Sequence, residues 1–137
     1  VENERMPHGA DRTRQLKLGR GGLSDVEWLV QLIQLRHAHS VPGLRTTSTL
    51  QALDAAVGAD LVSSEDAEIL SGAWLLATKI RRGVRQSDTL PSGRADLEAI
   101  ARWCGYPPGS ARALEEDYLR ITRNARKVYE RLFFDEV

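Results

Sequence analysis

Apolar residues recur every three to four positions over most of this chain, and the segments they mark out read as helices. The longest seam runs through Ala111, Leu114, Tyr118, Ile121, Ala125, Val128 and Leu132. Seven positions in that rhythm lay one apolar face along a helix. Leu70, Ala73, Ala77, Ile80 and Val84 form a second seam, suited to packing on another helix. Ser63 or Ser64 caps that helix, and Gly83 weakens its end by about 1 kcal/mol relative to Ala. From Ser24 to about Ser40 the apolar surface is broader: Val26, Leu29, Val30 and Ile33 share a face, and Trp28, Leu32 and Leu35 widen it. A helix apolar over so much of its girth is expected at the centre. Ser24 and Glu27 read as a capping box, with Leu23 stapled onto Trp28, and Val41-Pro42-Gly43 ends the helix.

Two shorter helices complete the pattern. One covers about Ser48 to Val57, with Leu50, Leu53 and Val57 inward and Gly58 as its stop. The other covers about Arg94 to Cys104, with Leu97, Ile100 and Ala101 inward and Gly105 as its stop. Pro107-Pro108-Gly109 is a turn, and Ser110 caps the last helix. Leu16 and Leu18 alternate with charged neighbours and give at most a short extended lead-in. No alternating run is long enough for a sheet. The pattern therefore predicts an all-α fold, a helical bundle of about five helices with two long ones, over residues 16–137. Residues 1–15 are polar and broken by Pro7 and Gly9, and read as a linker or the end of a preceding domain.

Composition narrows the function classes. At 137 residues the chain is about one domain and needs no staples to bury a core. The balance of 42% hydrophobic and 28% charged residues disfavours both disorder and membrane insertion. With 19 basic and 19 acidic side chains there is no basic excess, which argues against nucleic acid as a partner. A single cysteine, Cys104, cannot form an internal disulfide and fits a reducing cytoplasm. The N-terminus has no apolar run of the signal-peptide kind. It lacks an initiator Met and starts in mid-pattern, so the expectation is a piece of a longer protein.

Candidate chemistry centres on Gly19-Arg20-Gly21-Gly22, which run straight into a helix. Their backbone N–H groups, with Lys17 and Arg20 beside them, suit an anion at a helix N-terminus. The alternative is a tight turn with positive φ that lets the chain approach the helix closely. The absence of G-x-x-x-x-G-K-[ST] and of G-x-G-x-x-G favours the turn. Glu27, Gln31 and Gln34 form a polar stripe on the first helix, facing either a cleft or partner domain, or a satisfied internal network. His37 and His39 lie two apart, on opposite helix faces, and are not a metal pair. Basic residues gather at the ends of the long helices, Lys79 to Arg85 and Arg120 to Arg131, and acidic ones at their starts. That order suits the helix dipole and reads as a solvated face. No nucleophile with its base and no two-metal carboxylate pair stands out.

The stretch KLGRGGLSDVEWLVQ, followed by PGLRTTSTLQAL, resembles the glutamine-synthetase adenylyltransferase family. The similarity continues into VENERMPHGAD at one end and VYERLF at the other. In that family two nucleotidyltransferase domains are each followed by a helical bundle. One half transfers AMP from Mg-ATP to a tyrosine of glutamine synthetase; the other removes it by phosphorolysis. The form G-R-G-G-hydrophobic-x-D, here Gly19 to Asp25, resembles the bundle after the second, adenylylating domain. The family's catalytic pattern, Gly-Ser then Asp-x-Asp about ten residues on, binds Mg²⁺. Here Gly109-Ser110 is followed only by Asp117. The resemblance thus implies an accessory bundle with no catalytic residue of its own, while ATP and Mg²⁺ belong to the catalytic domain. Its implied partners are the preceding nucleotidyltransferase domain, glutamine synthetase and the PII signalling protein. Residues proposed at the interdomain or nucleotide-proximal face are Lys17, Arg20, Gly21, Gly22, Asp25, Glu27 and Gln31. The rival reading is a self-contained helical interaction or ligand-sensing module.

Overall fold

The computed structural model describes residues 12–84 and 87–136. Expectations for residues 1–11 and for Arg85 lie outside them. Five α-helices follow one another: α1 Leu23–His37, α2 Thr49–Gly58, α3 Ser64–Gly83, α4 Arg94–Trp103 and α5 Ala111–Glu136. Three-residue 3-10 turns at Arg12–Arg14 and Pro42–Leu44 complete the regular structure. The all-α bundle read from the periodicity is the fold. The two long helices, α3 and α5, pack along each other, and α1 and α4 lean on α5.

Most of the apolar seam positions point where their spacing says, although Ile121 is only half-buried and Val84 is half-buried just past the end of α3. Leu70, Ala73, Ala77 and Ile80 of α3 are buried, as are Leu114, Tyr118, Ala125, Val128 and Leu132 of α5. Leu97, Ile100 and Ala101 of α4 are buried too. The Ser48 and Ser63 hydroxyls accept the N–H of Gln51 at 3.2 Å and of Asp66 at 3.0 Å, capping α2 and α3. Such caps contribute about 1 kcal/mol each. Helix α4 ends in a Schellman turn: Tyr106 N–H donates to Ala101 and Gly105 N–H to Arg102, with Gly105 at φ +92°.

Four further details depart from the pattern. Helix α2 turns Ala52, Leu53 and Ala56 into the core, leaving Leu50 and Val57 half-buried, because its small alanines allow the closer approach. Its positive-φ stop falls on Asp60, at φ 60°, rather than on Gly58. Leu35 of α1 is 84% exposed, so the broad apolar girth of that helix is not fully enclosed. Arg14 and Gln15, read as linker, are packed against the bundle. Gln15 bridges Thr89, and the Arg14 guanidinium holds Glu115 at 2.7 Å as well as the carbonyl oxygens of Leu90 and Pro91.

Gly83 has a reason that its helix propensity hides. A Cβ there would lie 2.7 Å from the Trp103 ring. The Trp103 indole N–H donates to the Lys79 carbonyl at 2.7 Å, which ties α4 to the end of α3.

Candidate functional site

The glycine turn is closed on itself. Gly19 N–H donates to Gln15, Gly22 N–H to Gly19, Leu23 N–H to Leu16 and Ser24 N–H to Lys17, all at 2.9–3.0 Å. Gly21 N–H donates to the Asp25 carboxylate at 2.6 Å. An anion at the start of α1 would need these same donors, and the chain has already taken them. Gly21 carries φ +73°, and a Cβ on it would stand 1.9 Å from the Thr122 carbonyl oxygen. The turn is thus pressed against the backbone of α5, a close approach that only glycine permits.

This arrangement replaces the capping box. The N-cap of α1 is Gly22, with no side-chain cap, and Ser24 is buried. The carbonyls of Leu16 and Lys17 satisfy the first helical N–H groups, so the Ser24 hydroxyl has no capping role left. The Glu27 carboxylate instead accepts the Trp74 indole N–H at 3.1 Å.

Asp25, 4% exposed, is the other half of the weld. Its Oδ2 also accepts from Arg126 Nη1 of α5 at 2.9 Å. Arg126 Nε lies 3.3 Å from Glu130, and its guanidinium sits 5.0 Å from the Tyr129 ring centroid. One buried carboxylate therefore holds the turn, the start of α1 and the middle of α5 together. Arg126 keeps only 23% of its side chain exposed.

One depression borders this weld and another lies farther along α1. The first, of about 440 Å³, lies between the turn and α5 and is lined by Thr13, Arg20, Arg123, Arg126, Lys127 and Glu130 among others. The second, of about 370 Å³, is lined by Glu27, Gln31 and Gln34 facing Thr46, Thr47 and Thr49. The polar stripe on α1 is part cleft and part network: Gln34 Nε2 donates to the Leu44 and Thr46 carbonyls at 2.9 and 2.8 Å, while Gln31 is exposed.

The sequence candidates therefore fall into separate places. Gly21, Gly22 and Asp25 form the weld, Arg20 faces the basic groove, and Glu27 and Gln31 line the polar cleft. Lys17 is exposed and lines neither depression. Arg123, Arg126 and Lys127 read as solvated charge in the sequence; nothing local shows that the turn docks beside them. His37 ends α1 and His39 is exposed beyond it. Among the described residues no three His, Cys, Asp or Glu side chains gather to hold a metal ion. No helix among them is long and apolar enough to cross a membrane.

Comparison with known proteins adds a family. A family model described as GlnD PII-uridylyltransferase matches residues 1–133. The chain is 53% identical, over 98% of its length, to a protein of Leifsonia xyli named bifunctional glutamine synthetase adenylyltransferase/adenylyl-removing enzyme. Proteins of the same name from Streptomyces avermitilis and Mycobacterium leprae are 52% and 44% identical over 98% and 97% of the chain. The match spans 14% of the length of each of these relatives.

Proposed function

The chain belongs to the family described as GlnD PII-uridylyltransferase, and from that premise we propose that it is the helical domain that accompanies the adenylylating domain of a glutamine synthetase adenylyltransferase. The observation that carries its being a domain of such an enzyme is the pairing of a near-complete match to this chain with a 14% share of each relative; its place beside the adenylylating domain rests on the form of Gly19 to Asp25. A domain-sized bundle is matched within a much longer enzyme.

In this reading the enzyme transfers AMP from Mg-ATP to glutamine synthetase in the cytoplasm. The chemistry, ATP and Mg²⁺ belong to the nucleotidyltransferase domain, and this chain supplies a rigid platform beside it. The glycine turn is the junction. Its hydrogen bonds are closed and its backbone rests on α5, so Arg20 and Lys17 are presented from a fixed surface rather than from a loose loop. The polar cleft around Gln31 offers a second surface for glutamine synthetase or the PII signalling protein.

Incubation of the 137-residue chain with glutamine synthetase and labelled Mg-ATP tests the assignment. The chain alone should place no label on the synthetase, and joined to its upstream domain it should support transfer. Label transferred by the chain alone would overturn the reading. So would an upstream sequence without the Gly-Ser and Asp-x-Asp pattern.

A further inference from the structure

We propose that the groove between the glycine turn and α5 binds a phosphate-bearing small anion through Arg20, Arg123 and Lys127, with the Arg126 guanidinium behind them. The inference goes beyond the domain's place in a longer enzyme, because it assigns a ligand site to this chain itself.

The first support is how charge is distributed on α5. Arg112 pairs with Glu116, Arg120 with Asp117, Arg126 with Asp25 and Glu130, and Arg131 with Asp66. Arg123 and Lys127 make no ion pair among the described residues, and both face the groove. They lie four apart on one helix face, where like charges repel and destabilise the helix. The chain has as many acids as bases, so this lack is one of placement and not of supply.

The second support is that the fold brings a third cation to them. Gly21 is pinned on Thr122, next in sequence to Arg123. Asp25 ties the same turn to Arg126. Arg20 is therefore carried to the rim of the groove by backbone contacts rather than by a flexible linker. Cations collected in a concave site focus a positive potential and raise the local concentration of anions.

The third support is size and chemistry. A volume of about 440 Å³ lies within the range of small-ligand sites, roughly 300–1,000 Å³. Arginine forks match phosphate oxygens two at a time, and lysine adds a point charge. Glu130, already 3.3 Å from Arg126, bounds one side and keeps the anion toward Arg20, Arg123 and Lys127. A concave site of this volume suits a compact anion better than the broad face of an acidic protein.

Amide NMR on the ¹⁵N-labelled 137-residue chain at low salt decides it. The probes are ATP without metal, inorganic pyrophosphate, inorganic phosphate and a short polyglutamate peptide. Saturable shifts should centre on residues 20–22 and 119–130. Arg123→Gln/Lys127→Gln should weaken binding on the order of tenfold or more, while exposed Arg94→Gln should not, with unchanged circular dichroism for both. Pyrophosphate binding as tightly as ATP would mean that phosphate alone is recognised; tighter ATP would mean that the nucleoside contributes. Either result supports the site. Overturning results are no saturable binding, equal weakening by Arg94→Gln, shifts centred elsewhere, or groove shifts with polyglutamate alone.

Discussion

At Gly21 two constraints fall on one residue. A left-handed backbone costs an L-residue about 1–2 kcal/mol, and here a Cβ would also collide with the Thr122 carbonyl. Gly105 provides the control, since it has φ +92° with open space around it. Gly105→Ala should cost about 1–2 kcal/mol. Gly21→Ala should cost at least about 3 kcal/mol, because α5 must also shift. Denaturant melts of the two variants check this, and equal losses would mean that the turn does not bear on α5. Asp25→Asn keeps an acceptor for Gly21 N–H but strips Arg126 of its buried counter-charge. Breaking a fully buried pair costs about 3–5 kcal/mol; with Arg126 23% exposed, about 2–3 kcal/mol is expected from the same melts. The sequence marks the glycines as special but not what they touch. Asp25 and Arg126 stand 101 positions apart, and no local pattern aligns residues so distant.

Helices are the scale at which the sequence speaks clearly. Most seam positions of α3, α4 and α5 are read correctly because burial on one face forces the 3.6-residue period, the exceptions being the half-buried Ile121 and Val84. What misleads is bulk. Leu50 and Val57 look like better core residues than Ala52 and Ala56, yet close packing of α2 favours the alanines. On α1 the same bulk overstates burial: Leu29 is fully buried while Leu35 is open. Leu29→Ala should therefore cost about 2–5 kcal/mol, and Leu35→Ala less than about 0.5 kcal/mol, by chemical denaturation. Between elements, Asp66 at the start of α3 takes a two-point grip from Arg131 of α5, at 2.8 and 3.0 Å. The hydrogen bond from Arg131 holds the Asp66 carboxyl below its ordinary pKa, and burial opposes it. A depressed folded-state pKa adds stability that is present above the ordinary carboxylate value and is lost as pH falls through the folded one. Wild type should thus melt above Asp66→Asn at pH 7. The gap should close as pH falls from about 4 downward. A gap that persists undiminished at pH 2 would show that the pair is not its source.

Two apolar clusters share the molecule, and the long helices thread both. Leu70 and Ala73 of α3 belong to one, Ala77 and Ile80 to the other. On α5, Ala125, Val128 and Leu132 join the first, and Leu114 and Tyr118 the second. Trp74 packs against both. The sequence shows these seams but not their division, because it gives no sign of which seam faces which. The basic groove is hidden for the same reason: its walls come from the N-terminal turn and the last helix. Helix formation is cooperative along its length, so α3 and α5 cannot readily lose one half alone. The two clusters should then open as a single unit. Leu53→Ala offers a sharp test, since α2 contributes only to the first cluster and α4 only to the second. The substitution should lower global stability by about 2–5 kcal/mol. Under native conditions, hydrogen exchange of the slowest α4 amides should lose the same protection as that of the slowest α2 amides. If α4 protection were unchanged while α2 protection fell, the clusters would be separate folding units. The weld at Gly21 and Asp25 would then hold the turn to α5 without tying the two halves together.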